Sequence, residues 1–138
     1  MLDCTALDEK VSMEPYPDIS ETAILFKPAR LYSPGMSGTA LYDITRGVWR
    51  VDRQRAERAM LAFAVVTGKI VEAYRISSWH SANTTPYLSG RRDQSEARYA
   101  GRFEFTGQVA SLKTRDKYLG LEVNHLFARR QVVRYLNC

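Results

Sequence analysis

The first forty-seven residues contain one apolar block and one helix signal. The block at 22–27 ends at Pro28, whose missing backbone N–H stops a β-ladder, and it predicts a first strand. Downstream, Ser37 or Thr39 can cap a short helix, because a hydroxyl oxygen can accept a hydrogen bond from a free N–H of the first turn. Gly47 is a plausible end for that helix.

A second helix is predicted directly after a short β-prone segment. Residues 48–51 are compact and β-prone, and Asp52 then stands where a helix N-cap belongs. The helix that follows covers 53–59, and its helical spacing breaks down near Leu61.

Residues 63–76 predict a β-hairpin. Two apolar runs, 63–66 and 70–76, flank the tight turn 67–69. The second run is apolar at most positions, which favours a central strand covered on both faces. We expect it to end at 77–80.

The chain after residue 80 contains a polar segment, two strands and two helical turns. Residues 81–99 lack periodicity and are longer than ordinary loops, which indicates a functional or disordered loop. Strict alternation then predicts a half-buried strand over 101–109. The remaining predicted elements are a helical turn at 114–119 ended by Gly120, a second turn with Val123, Leu126 and Phe127, and a strand at 132–136.

These elements predict an α+β fold. Strands and short helices interleave irregularly, and no strand–helix–strand unit carries a glycine-rich phosphate loop, which disfavours a doubly wound nucleotide-binding fold. We expect five or six strands in a small curved mixed sheet or open β-barrel with short flanking helices. The predicted organisation is a flexible acidic arm, residues 1–21, followed by a single domain, residues 22–138.

Charge is distributed unevenly along the chain. The net charge is +5, but the first 22 residues hold six acidic side chains and one lysine. Residues 23–138 therefore hold 19 basic and 9 acidic side chains, a net charge of +10. The basic residues are 15 Arg and 5 Lys, and arginine suits bidentate contacts with phosphate. The expected partner is an anion, with nucleic acid first.

Membrane and secreted classes are disfavoured. No apolar run approaches the roughly 20 residues that span a bilayer, and the start of the chain lacks the pattern of a secretion signal. The two cysteines, Cys4 and Cys138, cannot build a disulfide framework or a cysteine-rich zinc site. We expect no membrane association and a reducing, cytoplasmic location.

The search for catalytic motifs is mostly negative, so we assign no catalytic residue, metal ligand or cofactor. His80 and His125 are far apart, and neither lies in a metal-binding spacing. A small nuclease or nucleic-acid-modifying enzyme would use Glu72 or Glu104 with His80, and this alternative stays open. For Glu72 we favour a structural role, an ion pair with a cross-strand arginine such as Arg102.

Aromatic residues interleaved with arginines give a stronger pattern. Such pairs can stack a base and hold its flanking phosphates. For Trp49 we favour a core position, and for Trp79 core and binding roles are balanced. The candidate nucleic-acid-binding residues are Trp49, Arg50, Arg55, Arg58, Arg75, Trp79, His80, Arg91, Arg92 and Arg102.

Several segments of the chain resemble a known family. The residues concerned are 41–51, 62–79, 101–110, 115–120 and 134–138. They look like a family of small, largely uncharacterised bacterial proteins, over about residues 30 to 138. More distantly, the two tryptophans around a hairpin are similar to the PUA-like group, which includes the EVE, ASCH and YTH domains.

The distant resemblance implies a reader of one base, often modified, held between aromatic side chains. Trp49 and Trp79 would then be the pocket aromatics, with Arg50, Arg75 and Arg102 on the backbone. It also implies a setting in bacterial defence or RNA modification.

Our leading hypothesis is a non-enzymatic module that binds DNA or RNA and recognises a base displaced from its stack. The alternatives are the small enzyme described above and a protein-interaction subunit whose basic face docks an acidic partner. We assign no oligomeric state.

Overall fold

The computed structural model of the chain describes residues 19–28, 31–88 and 100–138. The strands are β1 (Ala23–Phe26), β2 (Gly47–Trp49), β3 (Leu61–Val66), β4 (Lys69–Ser81), β5 (Phe103–Val109) and β6 (Val133–Leu136). The helices are α1 (Gly38–Arg46), α2 (Arg53–Arg58) and α3 (Leu112–Tyr118), with a 3-10 turn at Asn124–Leu126.

The six strands form one mixed sheet in the order β2-β5-β4-β3-β1-β6. β1 pairs with β3 in parallel, and the other pairs are antiparallel. The sheet is curled into a half-barrel with three short helices, so the predicted α+β class with a small curved sheet is confirmed.

The curl brings β2, at one end of the sheet, close to β1 and β6 at the other. The Trp49 ring stacks on the Phe26 ring with centroids 5.0 Å apart. Beyond β2, the backbone N–H of Asp52 donates to the Tyr135 hydroxyl at 2.7 Å. Side chains therefore bridge the gap that the strands leave open.

Each face of the sheet has its own apolar core. The inner, concave face holds the rings of Phe26, Tyr74, Trp79 and Phe105, closed by Ala56 of α2. The outer face carries a second core under α3 and the 3-10 turn, formed mainly by Leu25, Phe63, Val65, Ile70, Ala73 and Tyr118. Burial on both faces confirms that the hairpin strands are central rather than edge strands.

The predicted helix signals are confirmed. The Ser37 hydroxyl accepts from the Ala40 N–H at 3.1 Å, and α1 ends at Arg46 with Gly47 as its C-cap. The Asp52 carboxylate accepts from the Gln54 and Arg55 N–H groups at 3.0 and 3.3 Å, which starts α2. In each case a side-chain oxygen satisfies backbone donors that have no helical partner.

The strand predicted to end at 77–80 continues to Ser81, because residues 78–81 pair with β5 beyond a β-bulge. The pairing of β4 with β5 shifts register between Ile76 and Ser78. Opposite the bulge the backbones approach so closely that a Cβ on Gly107 would lie 2.1 Å from the Arg75 carbonyl oxygen. Since side chains alternate between faces, the inserted residue reverses which positions face inward. Trp79 therefore enters the inner core.

Residues 1–18 of the predicted acidic arm lie outside the described ranges. The next residues lie against the domain, since Asn137 Nδ2 donates to the carbonyl oxygens of Ile19 and Glu21 at 2.9 and 3.0 Å. In the ranges that the structure covers, no helix combines the length and apolar character needed to cross a membrane.

Candidate functional site

Two predicted arginines occupy neighbouring positions where β2 ends and β5 begins. Arg50 is exposed directly after β2, and a Cβ on Gly101 would lie 3.6 Å from its Nη1 atom. Arg102 is half-buried, and its Nη1 donates a long hydrogen bond of 3.5 Å to the Val48 carbonyl. Neither guanidinium forms an ion pair with any residue that the structure describes.

Arg53 at the start of α2 joins the same region. Its Nη2 donates to the Trp79 carbonyl at 3.1 Å, and its guanidinium carbon lies 5.3 Å from the centre of the Phe103 ring. Glu57 partly compensates its charge through a contact of 3.1 Å between two half-exposed side chains. We call Arg50, Arg53 and Arg102 the basic cluster.

The other arginines predicted as phosphate contacts lie elsewhere. Arg55 Nε donates to the Cys138 carbonyl at 3.1 Å, and its guanidinium covers the Tyr135 ring at 4.1 Å, so this side chain packs against β6. Arg58 is exposed at the end of α2. Arg75 is exposed on β4, opposite Gln108 of β5. Arg91 and Arg92 lie outside the described residues.

The two tryptophans occupy different environments. Trp79 is 5 % exposed, its indole N–H donates to the Ala56 carbonyl at 3.0 Å, and its ring packs on Phe105 at 5.4 Å. Trp49 is half-buried, and its N–H donates to the Thr45 carbonyl at 2.7 Å. Trp49 alone of the two has appreciable exposed surface, and it directly precedes Arg50 of the basic cluster.

A fully buried carboxylate organises the segment after β4. Glu104 has 0 % exposure and accepts from the backbone N–H groups of Asn83, Thr84 and Thr85 at 2.9, 3.2 and 2.8 Å. The hydroxyl groups of Thr85 and Tyr87 also donate to it. Burial by itself would raise the pKa of Glu104, but the hydrogen bonds outweigh burial and hold that pKa below its usual range.

A buried arginine holds the same segment from the other side. Arg46 is 1 % exposed, and its Nη1 donates to Thr85 Oγ1 at 2.8 Å and to the Phe105 carbonyl at 3.1 Å. Its Nη2 donates to the Pro86 carbonyl, and its guanidinium lies 3.9 Å from the Tyr87 ring centre. These contacts satisfy a charge that would otherwise be very costly to bury.

Asp43 completes this arrangement. Its carboxylate lies 3.6 Å from Arg46 Nε and accepts from the Leu88 N–H at 3.2 Å. Together Asp43, Arg46 and Glu104 form what we call the buried charge network. It fixes residues 83–88, the first part of the predicted 81–99 loop, against the end of the sheet.

Of the groups expected for a nuclease, Glu104 is the direct cross-strand partner of His80, whereas Glu72 lies elsewhere on β4. Glu72 pairs with Arg115 of α3 through two hydrogen bonds of 2.8 and 3.1 Å, so the predicted partner Arg102 is wrong. The oxygens of Glu104 are occupied by hydrogen bonds from the 83–87 segment. His80 lies eight positions after Glu72 on β4, about 26 Å along an extended strand.

His80 belongs instead to a polar triangle that the sequence reasoning missed. Its Nε2 lies 2.9 Å from Ser78 Oγ and 3.2 Å from Thr106 Oγ1, and the two hydroxyl oxygens are 3.0 Å apart. Ser78 and Thr106 are a directly paired position of β4 and β5. The alternation of Ser78 and His80 was a usable signal, but the strand was predicted to end there.

Within the described ranges, no group of three or more His, Cys, Asp or Glu side chains could hold a metal ion. Comparison of the chain with protein-family models, curated proteins and solved structures found no match.

Proposed function

We propose that the protein binds nucleic acid through the basic cluster and the exposed part of Trp49. The observation that carries this proposal is that Arg50 and Arg102 flank the paired residues Trp49 and Phe103, with Arg53 against the Phe103 ring and Trp49 half-buried. Residues 23–138 carry a net charge of +10. Arg50 and Arg102 form no ion pair within the described residues, and guanidinium groups without carboxylate partners are suited to bind phosphate oxygens.

The proposed contacts are mainly with the backbone. Arg50 and Arg102 would each hold one phosphate, and Arg53 would contribute less because Glu57 shares its charge. Phosphate contacts of this kind give affinity that falls steeply with salt concentration and carries no sequence information.

Trp49 would supply a stacking surface for one displaced base. Stacking on an aromatic side chain contributes about 1 to 3 kcal/mol per base. Trp79 is assigned no stacking role in this proposal, because it is only 5 % exposed, whereas Trp49 is half-buried and covers one ring face with Phe26. A base displaced from its stack is easiest to supply from a single strand, so we expect single-stranded ligands to bind more tightly than duplex.

Fluorescence anisotropy with labelled single-stranded DNA, single-stranded RNA and duplex DNA tests the proposal. We expect salt-sensitive binding that weakens about tenfold or more in Trp49→Ala, as loss of one stacked base implies. Trp49→Phe is the matched variant that retains an aromatic ring, and it should bind more tightly than Trp49→Ala. Binding to none of the three ligands would refute the proposal and favour a protein partner for the basic cluster.

A further inference from the structure

The polar triangle lies on the outer face of the sheet, away from the inner core. Ser78 is exposed, and His80 and Thr106 are half-buried, so solvent reaches the group. The bulge between Ile76 and Ser78 places the triangle there, because it sends Trp79 inward and its neighbours on both sides outward. The close approach at Gly107 keeps the two strands in this register.

The two hydroxyl oxygens and His80 Nε2 can be joined by hydrogen bonds in two arrangements of their protons. If His80 carries its proton on Nδ1, Ser78 can donate to Nε2 and Thr106 to Ser78, so both hydroxyl protons are used inside the triangle. If Nε2 is protonated, it donates to the hydroxyl oxygens and both hydroxyl protons can turn outward. Two O–H donors 3.0 Å apart can then converge on one external oxygen, about 2.7 Å from each.

We propose that Ser78, Thr106 and His80 bind one oxygen of a phosphate-type oxyanion. The anion would select the second arrangement, since the hydroxyl groups donate outward only when His80 donates to them. Hydrogen bonds to an anionic oxygen are stronger than those between neutral groups, so the ligand provides the free energy for the change.

The charges around the triangle are consistent with an anion. Arg75 is exposed on the same strand, three residues before Ser78, and forms no ion pair within the described part of the chain. The carboxylate nearest in register is Glu104, opposite His80, and its charge is buried and bonded to the 83–87 segment. Glu72, farther along β4, is paired with Arg115.

This site does not depend on the proposed nucleic-acid function. The oxyanion could be free phosphate or a phosphodiester, and both present the same tetrahedral oxygens. Glu104 lies between Arg102 and Thr106 along β5, and neither Arg50 nor Arg102 forms a hydrogen bond with a member of the triangle, so we expect substitution of these two arginines to leave the triangle intact.

Side-chain nitrogen NMR tests the proposal directly, because the chain contains two histidines. Inorganic phosphate and dimethyl phosphate are titrated separately at constant ionic strength, and the ring nitrogens of His80 and exposed His125 are followed. We expect a saturating shift of the His80 Nε2 signal toward the protonated form, with no saturating shift at His125. A response to inorganic phosphate alone assigns the site to the free ion, and a response to both assigns it to phosphodiesters as well.

Variants separate this site from the basic cluster. Ser78→Ala with Thr106→Val should weaken the binding of phosphate about tenfold or more. The control Ser77→Ala, at the exposed bulge residue, should leave it unchanged, as should Arg50→Ala with Arg102→Ala. Equal, non-saturating shifts at both histidines, no shift at His80, or undiminished binding in the double variant with an intact backbone spectrum would each overturn the proposal.

Discussion

Arg46 and Glu104 hold the same hydroxyl group from opposite sides. Arg46 Nη1 donates to Thr85 Oγ1 at 2.8 Å, and that hydroxyl donates to the Glu104 carboxylate. Two buried charges of opposite sign are thus joined through one neutral side chain. The hydrogen bonds of Arg46 and of Glu104 both involve residues of the 83–88 segment, so this segment is held against the sheet as one unit.

Replacing Glu104 should destabilise the protein strongly. Glu104→Gln places an amide N–H₂ among groups that all donate, and we expect the free energy of unfolding to fall by roughly 3 kcal/mol. Chemical denaturation measures this difference. The control Glu57→Gln, in an exposed i,i+4 pair, should change it by less than about 0.5 kcal/mol. Equal effects of the two substitutions would contradict the role assigned to Glu104.

The same carboxylate should make stability depend on pH. Its hydrogen bonds lower the folded-state pKa below the ordinary value of 4.5, although burial opposes them. The stabilisation is therefore complete above the ordinary pKa and is lost as pH falls through the folded-state pKa. Denaturation of wild type and Glu104→Gln at several acidic pH values should show the two stabilities converging on acidification. A constant difference would mean that Glu104 is not ionised in the folded state.

The bulge should require glycine at position 107. A Cβ there would lie 2.1 Å from a backbone carbonyl oxygen, which cannot rotate away. We expect Gly107→Ala to lower the free energy of unfolding by roughly 3 kcal/mol or to prevent folding. Gly38→Ala is the matched control, because nothing lies within 4 Å of the added methyl group, and helix propensity predicts a gain of up to about 1 kcal/mol. If Gly38→Ala lowered the unfolding temperature more than Gly107→Ala, the close approach of Gly107 to the Arg75 carbonyl would be contradicted.

Local signals in the sequence predicted much of this fold. The hydroxyl of Ser37 and the carboxylate of Asp52 cap helices as expected, since capping depends only on residues two or three positions apart. The hairpin and the alternating strand β5 were likewise predicted from local periodicity. Such features need no knowledge of distant contacts.

Features that depend on long-range contacts were not predicted. The bulge in β4 results from pairing with β5, and it changes the face of Trp79 without altering the local pattern. Glu104 has the alternation of a solvent-facing residue, yet a segment about 20 positions earlier covers it. The partner of Glu72 was wrong for the same reason, because α3 reaches it across the sheet.

The two tryptophans should respond differently to quenchers and ligand. In Trp49→Phe the remaining Trp79 is enclosed, so its emission should be blue-shifted and poorly quenched by iodide. In Trp79→Phe the remaining Trp49 should be quenched by iodide, and single-stranded oligonucleotide should protect it. If the oligonucleotide protected Trp79 alone, the assignment of base stacking to Trp49 would be wrong.

The Glu72–Arg115 pair should show energetic coupling that Glu72 and Arg102 lack. A double-mutant cycle with Glu72→Gln and Arg115→Gln should give a non-zero interaction energy, because the guanidinium makes two hydrogen bonds to the carboxylate. The matched cycle with Arg102→Gln should be additive. Coupling in the Arg102 cycle would contradict the pairing seen in the structure.

The salt dependence of oligonucleotide binding tests the central claim most directly. The logarithm of the association constant is measured against the logarithm of salt concentration for wild type, Arg50→Ala with Arg102→Ala, and Lys113→Ala with Lys117→Ala. The last pair removes the same charge from α3, beyond the opposite end of β5. We predict that the arginine variant lowers the slope by roughly 1.5, because two phosphate contacts are lost, while the lysine variant leaves it unchanged. Equal slopes in both variants would contradict binding through the basic cluster.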